Sequence, residues 1–165
     1  MTCRLLATVT LVVVCTLPVA TARGQCTTQW VRTGGVPGVA LRGPNVGENE
    51  IVKRLEERIA KLVNWPVENG EGLQILQYGP GAEYKPHYDY FDPNEPGTPT
   101  ILKRGGQRVA TLVMYLGEPD KGGGTTFPDV HLEVAPKRGN AVFFSYERAH
   151  PSTKTLHGGA PVIAG

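Results

Sequence analysis

His87 and Asp89 stand two positions apart with Tyr88 between them, and a further histidine, His157, follows 70 positions after the first. Side chains alternate with period two in extended backbone, so an imidazole and a carboxylate at this spacing fall on the same side of a strand. One more imidazole from a neighbouring strand would complete a set of two histidines and one carboxylate. On one octahedral face that set suits a non-haem Fe(II) centre, because three adjacent positions stay open for a cosubstrate and oxygen. A His-x-Asp pair is also what a polar strand end looks like, and His157 before Gly158-Gly159 also reads as a turn residue. The elements around these residues must decide.

Upstream, Ile51, Leu55, Ile59 and Leu62, with Val52 and Val63 alongside, recur at helical spacing, and Arg54, Glu56, Glu57, Arg58 and Lys61 take the other face. This predicts an amphipathic helix over 49–63, ended by Asn64-Trp65-Pro66, whose apolar stripe covers one side of a sheet. After Asn69-Gly70 the period changes. Strands are expected over 73–78, through 84–89 with His87 and Asp89 on board, and over 108–116, followed by shorter ones from 125, over 131–135 and over 140–146. Gly79-Pro80-Gly81, Lys121-Gly122-Gly123-Gly124 and Pro136-Lys137-Arg138-Gly139 read as turns. Residues 91–107 carry three prolines and three glycines with no helical or alternating pattern, and a loop of that length beside the candidate ligands is a candidate lid. Short strands joined by Gly/Pro turns indicate a mainly β, α+β domain of sandwich or jelly-roll type.

The chain is long enough for one domain with a sizeable core at 165 residues, and 21 Gly and 14 Pro favour a turn-rich β fold over a helical bundle. Four of the 17 basic residues and none of the acidic ones lie in 1–47, which leaves 13 basic against 15 acidic in the remainder. No basic run marks a nucleic-acid footprint. Cys3, Cys15 and Cys26 all precede the domain, which therefore has no thiol for a disulfide framework, a zinc-thiolate site or a nucleophile. Residues 1–22 read as a signal peptide, with Arg4, an apolar run over 5–17 and Ala20-Thr21-Ala22 at the cleavage site, and the run is too short for a stable membrane span. An organellar transit segment or a leader foreign to the domain are the rival readings. A secretory location (endoplasmic-reticulum lumen, periplasm or exterior) follows if it is a signal peptide, a cytoplasmic one otherwise. Residues 23–47 read as linker or irregular structure, with an edge strand over 29–31 as the alternative, and 48–165 as the domain.

Several ordered stretches together carry a resemblance. Leu73-Gln74-Ile75-Leu76-Gln77-Tyr78, Tyr84-Lys85-Pro86-His87-Tyr88-Asp89-Tyr90-Phe91, the run from Val109 to Leu116, Gly122-Gly123-Gly124-Thr125-Thr126-Phe127-Pro128, Gly139-Asn140-Ala141-Val142-Phe143-Phe144 and Leu156-His157-Gly158-Gly159-Ala160-Pro161-Val162 resemble the catalytic domain of prolyl 4-hydroxylases, within the Fe(II)/2-oxoglutarate oxygenase superfamily. The resemblance runs from about Gly47 to the last residue. It implies a double-stranded β-helix (jelly roll) with the helix outside the major sheet, and Fe(II) held by His87, Asp89 and His157. It implies cosubstrate contacts for Tyr78 and Thr125, whose plain readings are a core aromatic and a strand threonine. His131 and His150 match no ligand position and read as surface or turn residues.

The activity implied is hydroxylation of peptidyl proline, in which molecular oxygen and 2-oxoglutarate yield hydroxyproline, succinate and carbon dioxide, with ascorbate as a further requirement. The loop over 91–107 would then help hold a proline-containing peptide, with Tyr88, Tyr90 and Phe91 as walls or as core packing. The resemblance departs at one point. The family places a lysine for the C5 carboxylate of 2-oxoglutarate about ten residues past the distal histidine, and no Lys or Arg follows His157 here. The expectation is therefore a jelly roll with its last strand truncated, leaving an unpaired edge, with Lys154 or Arg148 as substitute anchors. Beside the enzyme stand a non-catalytic jelly-roll module that binds peptide or metal, an inactive fragment lacking the lysine, and a metal-dependent oxygenase that does not use 2-oxoglutarate.

Overall fold

The computed structural model describes residues 7–15, 39–41 and 49–165. Helix α1, Glu50–Val63, forms because both of its ends are closed. The Asn49 side chain accepts from the Ile51 and Val52 amides at 3.0 Å each, and Asn64 takes the left-handed conformation, φ 53°, while the Trp65 amide returns to the Ala60 carbonyl at 3.0 Å. The buried stripe is Val52, Leu55, Ile59 and Val63, which packs on Leu73, Ile75, Leu112 and Met114. Ile51 and Leu62, counted into that stripe from their spacing, are exposed at 78% and 74%. Each lies next in sequence to a stripe residue, about 100° round the helix, and so points away from the sheet.

The strands are β1 (Ala7–Cys15), β2 (Val39–Leu41), β3 (Gln74–Gln77), β4 (Tyr84–His87), β5 (Gln107–Tyr115), β6 (Lys121–Gly122), β7 (Thr125–Phe127), β8 (Leu132–Val134), β9 (Ala141–Ser145), β10 (His157–Gly159) and β11 (Val162–Ala164). They make a five-stranded sheet in the order β2-β3-β1-β5-β9, a four-stranded sheet β4-β10-β7-β8 and a small pair β11-β6. This is the expected jelly-roll class, with α1 outside the larger sheet. Period-two burial divides the larger sheet's residues: Leu73, Ile75 and Leu112 meet the helix, whereas Gln74, Leu76 and Val113 line a cavity shared with the smaller sheet.

Several local expectations need correction. Strand β4 stops at His87, so Asp89 lies in the bend beyond it rather than on the strand. The presumed loop over 91–107 contains a helix, α2 (Thr98–Gly105), because Pro99 presets the first turn and Gly106, at φ 77°, supplies the stop. Lys121 and Gly122, read as turn, form β6 against β11. His157, for which a turn was one reading, is on β10.

The apolar run of the leader is, over Ala7–Cys15, the strand β1. It runs parallel to both β3 and β5, with Val12 in register with Gln74 and with Val113. The facing edges of β3 and β5 are thus both paired, where an unpaired edge was expected. Strand β2, antiparallel to β3, falls within 23–47; the alternative edge strand over 29–31 lies outside the described residues. Among the described residues no helix is long and apolar enough to cross a membrane.

The joint between α1 and the larger sheet rests on Leu112, 2% exposed between Val52, Ile59 and Leu73. Leu112→Ala is expected to lower the unfolding free energy by about 3 kcal/mol, read as a reduced urea midpoint at unchanged slope.

Candidate metal centre

Strand pairing brings the two histidines together. β4 and β10 are antiparallel neighbours with His87 directly opposite His157, and their rings lie 4.4 Å apart between centroids. The strands approach closely only because residue 158 is glycine: a Cβ there would stand 2.7 Å from the Tyr84 carbonyl oxygen and 3.2 Å from the Pro86 Cα. Asp89 turns back from the bend toward both rings. His87 Nε2 is 3.3 Å from Asp89 Oδ1 and His157 Nε2 is 3.5 Å from Oδ2, and one donor atom from each of the three lies within 4.8 Å of the others. No other such group occurs among the described residues. His131 and His150 are exposed and sit at ends of short 3₁₀ turns, as expected.

The ring orientations are fixed from behind. His87 Nδ1 meets the Lys85 carbonyl at 2.9 Å and His157 Nδ1 meets the Thr155 carbonyl at 3.0 Å, and a carbonyl only accepts, so each Nδ1 carries the proton. Each Nε2 lone pair then faces the carboxylate. Asp89 is 8% exposed and accepts from the Thr111 hydroxyl at 2.6 Å through Oδ2; Thr111 in turn receives the Tyr146 hydroxyl at 3.2 Å. Burial pushes the Tyr146 hydroxyl well above its ordinary pKa, which keeps it a donor.

Burial by itself would raise the Asp89 carboxyl. In the acid range, where the rings carry a proton on both nitrogens, the hydrogen bond from His87, the charge of His157 and the Thr111 hydroxyl together outweigh it and hold the pKa to about 2. Burial lowers the His157 pKa, opposed by the charge of Asp89 and the Thr155 carbonyl. At neutral pH the carboxylate is therefore charged and the His157 ring neutral, the forms that ligate a metal.

The triad forms one wall of a cavity of about 380 Å³ between the two sheets. Tyr78 and Thr125 line it. Burial, with the charge of Tyr84 adding to it, pushes the Tyr78 hydroxyl far above its ordinary pKa, so it is protonated. The buried Tyr115 hydroxyl donates to Thr125 Oγ1 at 2.7 Å, which leaves the Thr125 proton free to donate to another acceptor. The three aromatics divide: Tyr88 lines the cavity, Tyr90 is 8% exposed against Tyr146, and Phe91 lies under Arg108. Lys154 and Arg148 are exposed and neither reaches the cavity, which removes both as substitute anchors.

A family model for the 2OG-Fe(II) oxygenase superfamily matches residues 73–165, which include every residue of the triad. The chain belongs to the 2OG-Fe(II) oxygenase superfamily. Prolyl 4-hydroxylase 5 of Arabidopsis thaliana is 41% identical over 140 residues, covering 72% of this chain and 46% of that protein. Prolyl 4-hydroxylase 2 of the same plant is 37% identical over 142 residues, covering 72% and 46%. The chain thus spans a little under half the length of these relatives. The 2OG complex of the viral collagen prolyl hydroxylase vCPH from Paramecium Bursaria Chlorella virus-1 superposes with a TM-score of 0.59 at 28% identity, covering 78% of this chain and 73% of that one.

The superfamily's metal and cosubstrate are Fe(II) and 2-oxoglutarate, and this chain's donor set fits the former: two imidazole Nε2 atoms and one carboxylate, each with its other polar atom already engaged. Sequence reasoning missed Arg108 and Tyr84, both on the cavity wall. Among the described residues that line the cavity, Arg108 is the one Lys or Arg. It grips Glu71 through two bonds, Nε to Oε1 at 2.7 Å and Nη2 to Oε2 at 2.9 Å, and donates from Nη1 to the Asp89 carbonyl at 3.1 Å. An arginine opening a buried apolar strand was the available signal.

Thr111→Val keeps the shape of the side chain and removes the hydroxyl that holds Asp89. Fe(II) affinity, or Mn(II) affinity measured anaerobically by calorimetry, is expected to fall by about tenfold with the fold intact by circular dichroism.

Proposed function

We propose that this chain hydroxylates peptidyl proline at C4, consuming molecular oxygen and 2-oxoglutarate and releasing succinate and carbon dioxide, with ascorbate maintaining the iron as Fe(II). The observation that carries the reading is the convergence of His87, Asp89 and His157 on one wall of a cavity that also holds the Tyr78 and Thr125 hydroxyls. The likeness to plant prolyl 4-hydroxylases and to a viral collagen prolyl hydroxylase supports proline as the target.

In this reading, Nε2 of His87 and His157 and the Asp89 carboxylate hold the iron. Bound there with 2-oxoglutarate, the metal supplies the oxygen activation that no side chain can perform. The protein's own residues do the remainder. Tyr78 and Thr125 donate to the 2-oxoglutarate carboxylates, Thr125 being left free to do so by Tyr115. Tyr88 on the cavity wall meets the peptide, and the apolar Leu76, Val113 and Val162, which also line the cavity, keep its interior from water.

Purified chain with Fe(II), ascorbate, 2-oxoglutarate and a proline-rich peptide is expected to form succinate and a peptide heavier by one oxygen, while His87→Ala forms neither. Mass spectrometry of both products checks this. Peptide binding that ignores Fe(II) and 2-oxoglutarate, without either product, would sink the reading and favour a binding module.

We also propose, on residues 1–22 alone, that the chain enters the secretory pathway. N-terminal mass analysis after expression in secretory cells is expected to find a start after Ala22, a product whose sheet no longer contains β1; retention of residues 1–22 overturns the route.

A further inference from the structure

Between Asp89 and β5 the backbone makes an excursion, residues 92–106, whose two ends are joined by the side chain of the residue that follows it. Gln107, the first residue of β5, accepts the Phe91 amide at its Oε1, 2.8 Å away, and donates from Nε2 to the Phe91 carbonyl at 2.9 Å. Oε1 also accepts the Arg108 amide at 3.0 Å. One primary amide thus satisfies both backbone groups of Phe91, as a partner strand would, at a place where β4 has already ended and no strand pairs. Only a side chain carrying a donor and an acceptor on one planar group at this reach can do so.

Arg108 grips the same neck from the other side. Its guanidinium stands 4.7 Å from the Phe91 ring centroid while Nη1 holds the Asp89 carbonyl at 3.1 Å. Within the excursion the chain is tied to itself. Thr98 Oγ1 donates to the Asp92 carbonyl at 2.6 Å, the Asn94 amide to Asp92 Oδ1 at 2.8 Å, and α2 follows. The excursion is consequently an ordered unit hung from its neck rather than a slack loop. Directly before the neck, Tyr88 and Tyr90 stack with centroids 4.8 Å apart, and Tyr88 lines the cavity.

We propose that Gln107 is a positioning residue: its amide clasps the neck of the 92–106 excursion and thereby fixes the Tyr88–Phe91 segment against which the substrate peptide is held. This deepens the proline-hydroxylase reading and rests on it for the identity of the peptide. The Gln107 amide makes no contact with the side chains of His87, Asp89 or His157, nor with Tyr78 or Thr125, although the segment that it fixes contains Asp89. It acts by holding the peptide wall at the distance that the Asp89 side of the site sets.

The test uses the full chain with Gln107→Glu, which keeps the size and replaces the donor by a second acceptor against the Phe91 carbonyl, and Gln107→Met, which keeps the length and removes both groups. Hydrogen exchange followed by mass spectrometry is expected to show protection lost by tenfold or more over 91–106, with α1 and β9 unchanged. In steady state, the KM for a proline-rich peptide is expected to rise by about tenfold while the KM for 2-oxoglutarate moves less than twofold, with a larger share of succinate formed without hydroxyproline. Should Gln107→Glu fail to fold, Gln107→Met gives the same readings. Unchanged exchange over 91–106 overturns the clasp. Faster exchange with an unchanged peptide KM, or an equal rise in both KM values, overturns its positioning role. A wild-type chain that forms no succinate overturns the functional reading and with it the peptide role, while the exchange measurement still decides the clasp by itself.

Discussion

A carboxylate removed from water is tolerated only if its charge and lone pairs are answered, and Asp89 is the point at which this chain meets that demand. Its two oxygens face His87, His157 and Thr111, and its backbone carbonyl is held by Arg108. Those partners come from β4, β10 and β5, that is, from both layers of the jelly roll. The Tyr146 hydroxyl behind Thr111 brings in the chain just past β9. Misplacing any of these strands leaves a buried charge unanswered, so the site and the register of the sheets specify each other. The same group that would hold iron is what aligns the layers.

Much of this was legible in the residues. The strand pattern, the helix and the His87–Asp89 pair were, because each has a local signature: period two, period 3.6, and a His-x-Asp spacing that survives even though Asp89 sits in a bend instead of on the strand, whereas His157, 70 positions on, joined them through the resemblance. Tyr78 and Thr125 were legible through the resemblance alone, since a tyrosine after a strand and a threonine after glycines carry no chemistry by themselves. The Glu71–Arg108 pair and the Gln107–Phe91 contact were not, because partners 37 and 16 positions apart leave no periodic trace. Helix α2 escaped notice because its proline and glycine, read as loop punctuation, are in fact its first turn and its stop.

The leader shows why a one-dimensional reading has limits. A run rich in Val, Leu and Thr satisfies the apolar requirement of a signal peptide and the β-branched preference of a buried strand equally well. Which use it finds depends on what lies beside it, and here β3 and β5 present two open edges whose amides and carbonyls need partners. The two parallel ladders beside β1 stand in an otherwise antiparallel architecture, a pairing geometry that no propensity of residues 7–15 could announce.

His87 and His157 face each other across adjacent strands although 70 positions separate them along the chain. An ion shared by the two is therefore a staple across a long loop, and its stabilising effect comes partly from the disorder that it denies to the unfolded chain. Binding and folding become one linked equilibrium: whatever strips the metal also removes a tie between β4, at the edge of the smaller sheet, and its neighbour β10. A chelator in the purification buffer would then do more than silence the chemistry. It would leave β4 and β10 joined by their few backbone bonds, with the Asp89 carboxylate answered by two imidazoles and the Thr111 hydroxyl alone.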